Sequence, residues 1–273
     1  YFNKYTFLHS GKKCNFEFYF EKMKQNQMRY LPLFLLVLLI SCKTSEKKMT
    51  AQQIIDKTIL FSGADKVSNS EITFKFRDKS YAAFRKNGTF QLYRNYKKDT
   101  LIIEDVLKNN GYERYLNSKS VKVADSMVSR YSNSINSVHY FSVLPFGLND
   151  KAVYKKLLKS STLKGKEYYK VEVTFSKDGG GEDFDDVFIY WIGKEDFLVD
   201  YLAYSYHTNG GGKRFRVLKE QCIKNGIRFV DYHNYKPLST AISLIDIDQA
   251  FESNTLRKVS EIVLKDIEVT LVD

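Results

Sequence analysis

The sequence predicts a mainly β protein of the α+β class, a strongly curled antiparallel sheet or half-barrel of about 9–11 strands with an N-terminal helix and a second helix inserted against the concave face. Three observations carry this. From Glu71 onward apolar and polar residues alternate with a period of two, as in Ile72, Phe74 and Phe76 against Thr73, Lys75 and Arg77, which buries one face of a strand. Gly-containing pairs punctuate these runs at hairpin spacing, and short turns join antiparallel strands because a parallel pair needs a crossover of about a dozen residues. Two stretches instead place apolar residues at steps of three and four, the spacing of one helical face.

The chain begins with segments that lie outside this fold. Residues 1–27 read as translation upstream of the start, with Met28 as initiator and Met23 as second choice. Arg29 and the apolar stretch Leu31–Ile40 then form a signal peptide, 28–41, since spanning a bilayer would take about 18 or more apolar residues. Leu39-Ile40-Ser41-Cys42 matches a bacterial lipobox, in which the thiol of Cys42 is lipidated and the chain is cut before it. A buried core segment is the competing reading, which Pro32 and the polar run Lys43–Lys48 suit poorly. The lipid implies a membrane anchor and a place in the cell envelope. Lys43 rather than Asp after the cysteine favours the outer membrane, facing the periplasm.

Residues 42–49 form a polar tether and 50–273 one domain. Thr50 and Gln53 make a capping box, Ile54, Ile55, Ile59 and Leu60 fall largely on one helical face, and Gly63 stops the helix. Asn87-Gly88 and Asn110-Gly111 supply tight type I′ turns, and Lys164-Gly165, Gly193, Asn209–Gly212 and Asn225-Gly226 mark the later hairpins. Between the two groups, Val128, Tyr131, Ile135 and Val138 form an apolar stripe along a helix over Ala124–His139, while Ser126, Arg130, Ser132 and Asn136 face elsewhere. Asp150 could cap a short helix containing Val153. The tail, 238–273, suggests one or two further strands around Leu244–Asp248 and Val259–Leu264.

Charge and cysteines narrow the function classes. The whole chain carries a net charge of +11; six Lys/Arg and two acids lie in residues 1–41, so processing leaves +7. That balance suits an anionic lipid surface or simply reflects composition. An export signal and the lack of an Arg-rich run interleaved with aromatics argue against nucleic acid as a partner. Once Cys42 carries lipid, Cys222 has no internal disulfide partner and reads as a small buried strand residue.

The candidate chemistry is sparse. Asp178, Glu182, Asp183, Asp185 and Asp186 flank three glycines and form a weak calcium candidate, without the spacing of an EF-hand. Gly210–Gly212 reads as a hairpin turn rather than an anion cradle, since no helix follows. His139, His207 and His233 have no ligand-pair spacing, no Gly-x-Ser-x-Gly elbow occurs, and no catalytic residue is singled out. The aromatic content, 20 Tyr and 20 Phe, fits an apolar cavity or a thick core equally.

A lipobox, an N-terminal amphipathic helix, successive hairpins and a helix inserted after the first strands together resemble the LolA and LolB type of periplasmic lipoprotein carriers, and within that superfamily a group of uncharacterised Gram-negative lipoproteins. Phe188–Val199, in which a strand ending in Trp191-Ile192 meets a polar turn and returns, is similar to a hairpin of that superfamily. The resemblance covers about Thr50–Pro237. It implies an apolar cavity for an acyl chain, lipid or lipoprotein, lined here by Val128, Tyr131, Ile135, Val138, Phe188, Tyr190 and Tyr201, and no cofactor beyond the lipid at Cys42. An enzyme acting on an envelope or small-molecule substrate is the second reading, and a structural lipoprotein with a filled core the third.

Overall fold

The computed structural model describes residues 48–178, 184–207 and 210–272. Cys42, the segments 1–27 and 28–41, most of the tether, and Glu182 and Asp183 of the calcium candidate lie outside the described residues. Met49–Asp273 form one compact unit. Helix α1, Ala51–Ser62, opens on the expected capping box and ends on Gly63 at φ 68°. A Cβ at Gly63 would sit 1.7 Å from the Gly226 carbonyl oxygen, so the helix end is pressed against a hairpin turn that only glycine can meet.

Six strands follow a 3-10 turn: β1 (Ser70–Phe76), β2 (Lys79–Lys86), β3 (Thr89–Lys98), β4 (Leu101–Lys108), β5 (Gly111–Leu116) and β6 (Lys119–Val121). After helix α2 (Asp125–Ser142) come β7 (Val153–Leu157), β8 (Ser161–Leu163), β9 (Lys166–Phe175), β10 (Val187–Gly193), β11 (Val199–Tyr206), β12 (Gly212–Lys224) and β13 (Ile227–Pro237). Helix α3 (Ile247–Glu252) precedes β14 (Leu256–Ile262) and β15 (Leu264–Leu271). Sheet 1 runs β15-β1-β2-β3-β4-β5-β6 and sheet 2 runs β14-β13-β12-β11-β10-β9-β7, with β8 also on β9. Every pairing is antiparallel.

The two sheets are curled but not closed, and they share a seam. β14 is the edge of sheet 2 on β13, Val263 follows it, and β15 crosses to pair with β1 in sheet 1. Register shifts at Asn234/Tyr235 and Thr73/Lys75 bend the strands on either side of that crossing. The tail therefore joins the sheets, and with β6 and β8 it raises the strand count among the described residues to fifteen. An apolar cluster fills the seam from both sides, with Ile72, Phe74, Tyr81 and Val269 of sheet 1 against Ile227 and Phe229 of sheet 2.

Several local expectations are corrected. Leu244–Asp246 is a 3-10 turn leading into α3 rather than a strand, because its apolar residues cover sheet 2 instead of joining it. Asp150 lies in a turn and Val153 opens β7, not a helix. The β4–β5 turn falls on Asn109-Asn110, with Lys108 paired to Gly111, because the Asn109 side chain bridges Phe90 N (2.7 Å) and Gly88 O (3.0 Å) of the neighbouring hairpin. Cys222 is exposed near the tip of the long β12–β13 hairpin, which runs past the core.

Sheet 2 is buried on both faces. On its inner face Ile54 and Ile55 of α1, with Leu144 and Leu148, pack on Val171, Tyr190 and Leu202. On its outer face Ile247 and Phe251 of the tail cover Trp191, Tyr201 and Phe215. A buried ion pair fixes the tail there: Lys170 Nζ donates to both Asp248 oxygens (3.0 and 3.1 Å) and to the Ile245 carbonyl, and Trp191 Nε1 donates to Asp248 Oδ2 (3.1 Å). Among the described residues no helix is long and apolar enough to cross a membrane.

Candidate functional site

Helix α2 has two different neighbours, and the difference creates a hollow. Its apolar stripe lies on sheet 1, where Ile135 is fully buried against Ala83 and Leu92. Beside it Asp105, fully buried, accepts from Arg94 Nη2 (2.6 Å), Arg114 Nε (2.6 Å) and the Tyr112 hydroxyl, while Arg94 Nη1 donates to Ser134 Oγ of the helix at 2.8 Å. Burial alone would raise the Asp105 carboxyl, but its hydrogen bonds and the guanidinium charge hold it below the ordinary range. His139 is buried between Phe74 and Tyr81, with Nε2 3.0 Å from the Tyr93 carbonyl. Burial, helped by nearby Arg85 and Arg94, pushes its pKa down to about 3, so it stays neutral.

On its other side α2 meets sheet 2 through its last turn, at Tyr140 and Phe141, and the preceding turns stand off the sheet. Between them lies a cavity of about 1040 Å³. The helix contributes a polar wall that includes Ser126, Ser129, Arg130, Asn133 and Ser137. The inner face of sheet 2 contributes an aromatic wall, with Phe175, Phe188, Tyr204 and Tyr232, and Phe141 closes it from the end of α2. These rings pack on one another: Phe188 stacks with Tyr204 at 5.4 Å between centroids, and Phe141 lies 5.3 Å from Tyr204. Arg214 and Arg216 of β12 stand in the same wall, and Ile262 and Leu264 of the seam close the far side. Burial pushes Tyr232 up to about 12, so its hydroxyl stays protonated.

The residues expected to line a cavity divide accordingly. Val138 and Phe188 line the hollow. Ile135 does not, because that part of the apolar stripe packs on Ala83 and Leu92 of sheet 1, and Tyr131 leans the same way over the Arg114 guanidinium at 3.8 Å. Val128 is half-buried outside the lining. Tyr190 lies fully buried behind the wall, its hydroxyl 3.4 Å from that of Tyr140. Tyr201 is on the outer face of sheet 2, because a register shift at Trp191/Ile192 and strand alternation turn it toward Phe215 and Phe251. The lining that sequence reasoning missed is the polar face of α2 and the pair Arg214 and Arg216. Its signal was the alternation Arg214-Phe215-Arg216-Val217, which puts two cations on one face of a strand whose other face is core.

Of the calcium candidate, Asp185 and Asp186 meet His207 at the edge of the hollow, with His207 Nδ1 3.2 Å from Asp185 Oδ2 and 3.9 Å from Asp186 Oδ1. Asp178 is exposed. An imidazole beside two carboxylates is a poorer match for calcium, which takes oxygen ligands, than for a transition metal.

No curated protein sequence matches the chain. Similar solved structures include a LolA superfamily protein from Nitrosomonas europaea (TM-score 0.44, 12% identity, covering 83% of this chain and 94% of that one). A DUF1329 family protein from Desulfovibrio piger gives a TM-score of 0.42 at 10% identity, over 81% of this chain and 93% of that one. A domain described as an outer-membrane lipoprotein-sorting protein, from Vibrio parahaemolyticus, gives 0.32 at 8% identity, over 79% and 93%. One family model spans most of the sequence, residues 28–263, and the chain thereby belongs to the family of unknown function DUF6503.

Proposed function

We propose that this chain is a lipid-anchored protein of the cell envelope that binds a hydrophobic ligand in the hollow between α2 and sheet 2. The observation that carries this reading is the hollow itself. Its volume, about 1040 Å³, is at the upper end of the range for small-molecule pockets. It has a continuous aromatic wall on a sheet whose outer face is packed under the tail. A filled structural core would have brought the serine-bearing turns of α2, and not just its last turn, down onto Phe188 and Tyr204. The polar groups that line it are mainly hydroxyls, amides and guanidiniums, which suit holding and orienting a ligand better than nucleophilic or acid–base chemistry.

Residues 49–273 hold every described element, so this unit is the one to test. Native mass spectrometry after expression should find a co-purifying lipid, and a fluorescent fatty acid should bind and be displaced by it. A bare mass together with no probe uptake would sink the ligand reading and leave a structural lipoprotein. The anchor is tested separately in the full chain: Cys42→Ser should abolish labelling by an alkyne fatty acid and leave uncleaved precursor, whereas equal labelling of both forms would remove the anchor.

A further inference from the structure

Three inward-facing guanidiniums of this protein come with a carboxylate. Arg94 and Arg114 share Asp105, and Arg228 Nη2 lies 3.5 Å from Asp200. Arg216 has none. It is 7% exposed, its Nη2 donates to the Tyr204 hydroxyl at 3.2 Å, and its guanidinium lies over the Phe141 ring at 3.8 Å. Its Nε is buried without any hydrogen-bond partner, and among the described residues no acidic side chain is within ion-pair reach. Arg85 is also buried with no carboxylate paired to it among the described residues, but it stacks on Phe146 and is not part of the lining of this hollow. Arg216 does line one.

A cation taken out of water without a counter-charge costs several kcal/mol, and one partly satisfied by a phenol and two ring faces recovers only part of that. The arrangement makes sense if the counter-charge arrives with the ligand. Arg214 stands two residues along the same face of β12, about 7 Å away on an extended strand, and lines the same hollow. Half-buried, it stacks on Tyr206 at 5.1 Å and gives Nη1 to the Lys213 carbonyl, and among the described residues no carboxylate is paired with it. Across the gap α2 offers Ser129 and Ser137 hydroxyls and the Arg130 cation. The carboxylate in the lining, Asp186, stands at the rim with its Oδ1 3.9 Å from His207 Nδ1.

We infer that the ligand of this hollow is an amphiphile with an anionic head, a carboxylate or phosphate gripped by the fork of Arg216 with Arg214 beside it, and an apolar tail laid along Phe175 and Phe188. The inference rests on the hollow being a ligand site and adds the charge of its occupant. A planar guanidinium matches both oxyanions in a two-bond geometry, and a lysine would not.

The test uses the unit 49–273 and titration calorimetry with four probes. These are a C16 fatty acid, a C16 monoacyl glycerol phosphate, the C16 alcohol, and inorganic phosphate. Wild type should bind at least one charged amphiphile tenfold or more tighter than the alcohol, and the stronger of the two identifies the head as carboxylate or phosphate. Arg216→Met should bring that amphiphile down to the affinity of the alcohol while leaving the alcohol unchanged, and should melt at the wild-type temperature or above, since it removes an unpaired buried charge. Arg216→Lys, which keeps the charge and loses the fork, should lose most of the preference and serves if the Met variant does not fold. Equal binding of alcohol and charged amphiphiles by wild type overturns the anionic head but leaves the hollow as a hydrophobic site. Phosphate binding as tightly as the acylated phosphate overturns the tail. No binding of any amphiphile overturns the ligand reading beneath it.

Discussion

The two sheets are built from similar strands but are held to their covers by opposite means. Sheet 2 carries a packed aromatic layer on its inner face and a second on its outer face, with the Lys170–Asp248 pair as a buried ionic pin under the tail. Beyond the seam sheet 1 is covered by α2, and the apolar contact beneath the helix is small, centred on Ile135, Ala83 and Leu92. The rest of that interface is ionic and aromatic-polar: Asp105 between two arginines, Ser134 on Arg94, and neutral His139. The hollow thus has one wall backed by a second apolar core, sheet 2, and one wall held to its sheet largely by charged and polar contacts, α2.

The largest test of this contrast removes the buried carboxylate between each sheet and its cover. Asp105→Asn leaves two buried guanidiniums without a counter-charge and should cost about 3–5 kcal/mol in urea unfolding. Asp248→Asn should cost less, because Lys170 keeps the Ile245 carbonyl and the tail keeps Ile247 and Phe251 on an apolar surface. Equal losses would mean that both covers depend on charge to the same degree.

Ile135→Ala comes next, at about 2–5 kcal/mol for a fully buried aliphatic side chain. Since Ile135 faces sheet 1, probe uptake by the folded fraction should be unchanged. Lost uptake at full folding would put the residue in the hollow after all.

Acid should loosen the helix before it loosens sheet 2. The folded pKa of His139 is about 3, against about 6.5 in an unfolded chain. Below pH 6.5 the unfolded state therefore binds a proton that the folded state refuses, and stability falls by up to about 1.4 kcal/mol per pH unit until about pH 3. Asp105 acts later: its folded pKa is lowered, so the stability that it contributes above its unfolded value is lost as pH drops through the still lower folded one. His139→Gln should flatten the urea midpoint between pH 6.5 and 4. An unchanged slope in that variant would assign the acid sensitivity elsewhere.

Much of the fold was legible because its signals are local. The Thr50–Gln53 capping box, the Gly63 stop and the positive φ pairs at Asn87-Gly88, Lys164-Gly165 and Asn225-Gly226 are all as the residues dictate. The tail was not, because Leu244-Ile245-Asp246-Ile247-Asp248 alternates like a strand, yet is coiled over sheet 2 by contacts to residues far away in sequence. The lining of the hollow failed for a related reason. A strand buried on both faces, such as Phe188-Ile189-Tyr190-Trp191, does not say which face meets empty space. An apolar helical stripe says only that something covers it, and here sheet 1 does, which leaves the serines and Arg130 for the hollow.

The smallest effect on stability should therefore come with the largest effect on binding. Ser129 is exposed on α2 and lines the hollow. Ser129→Ala deletes one hydroxyl at a surface that solvent can reach, and should change stability by less than about 0.5 kcal/mol. Ser129→Trp keeps the helix and projects an indole toward Phe188 and Tyr204 across open space, so it should also melt near wild type while blocking the fatty-acid probe. Ile135→Trp is the matched control on the opposite face: overpacking the sheet 1 interface should cost about 1–3 kcal/mol or more and leave the folded fraction binding normally. If the Ser129 variant bound normally and the Ile135 variant did not, the helix would have to sit the other way round, with its apolar stripe toward sheet 2, and the division of labour between the two sheets would be reversed.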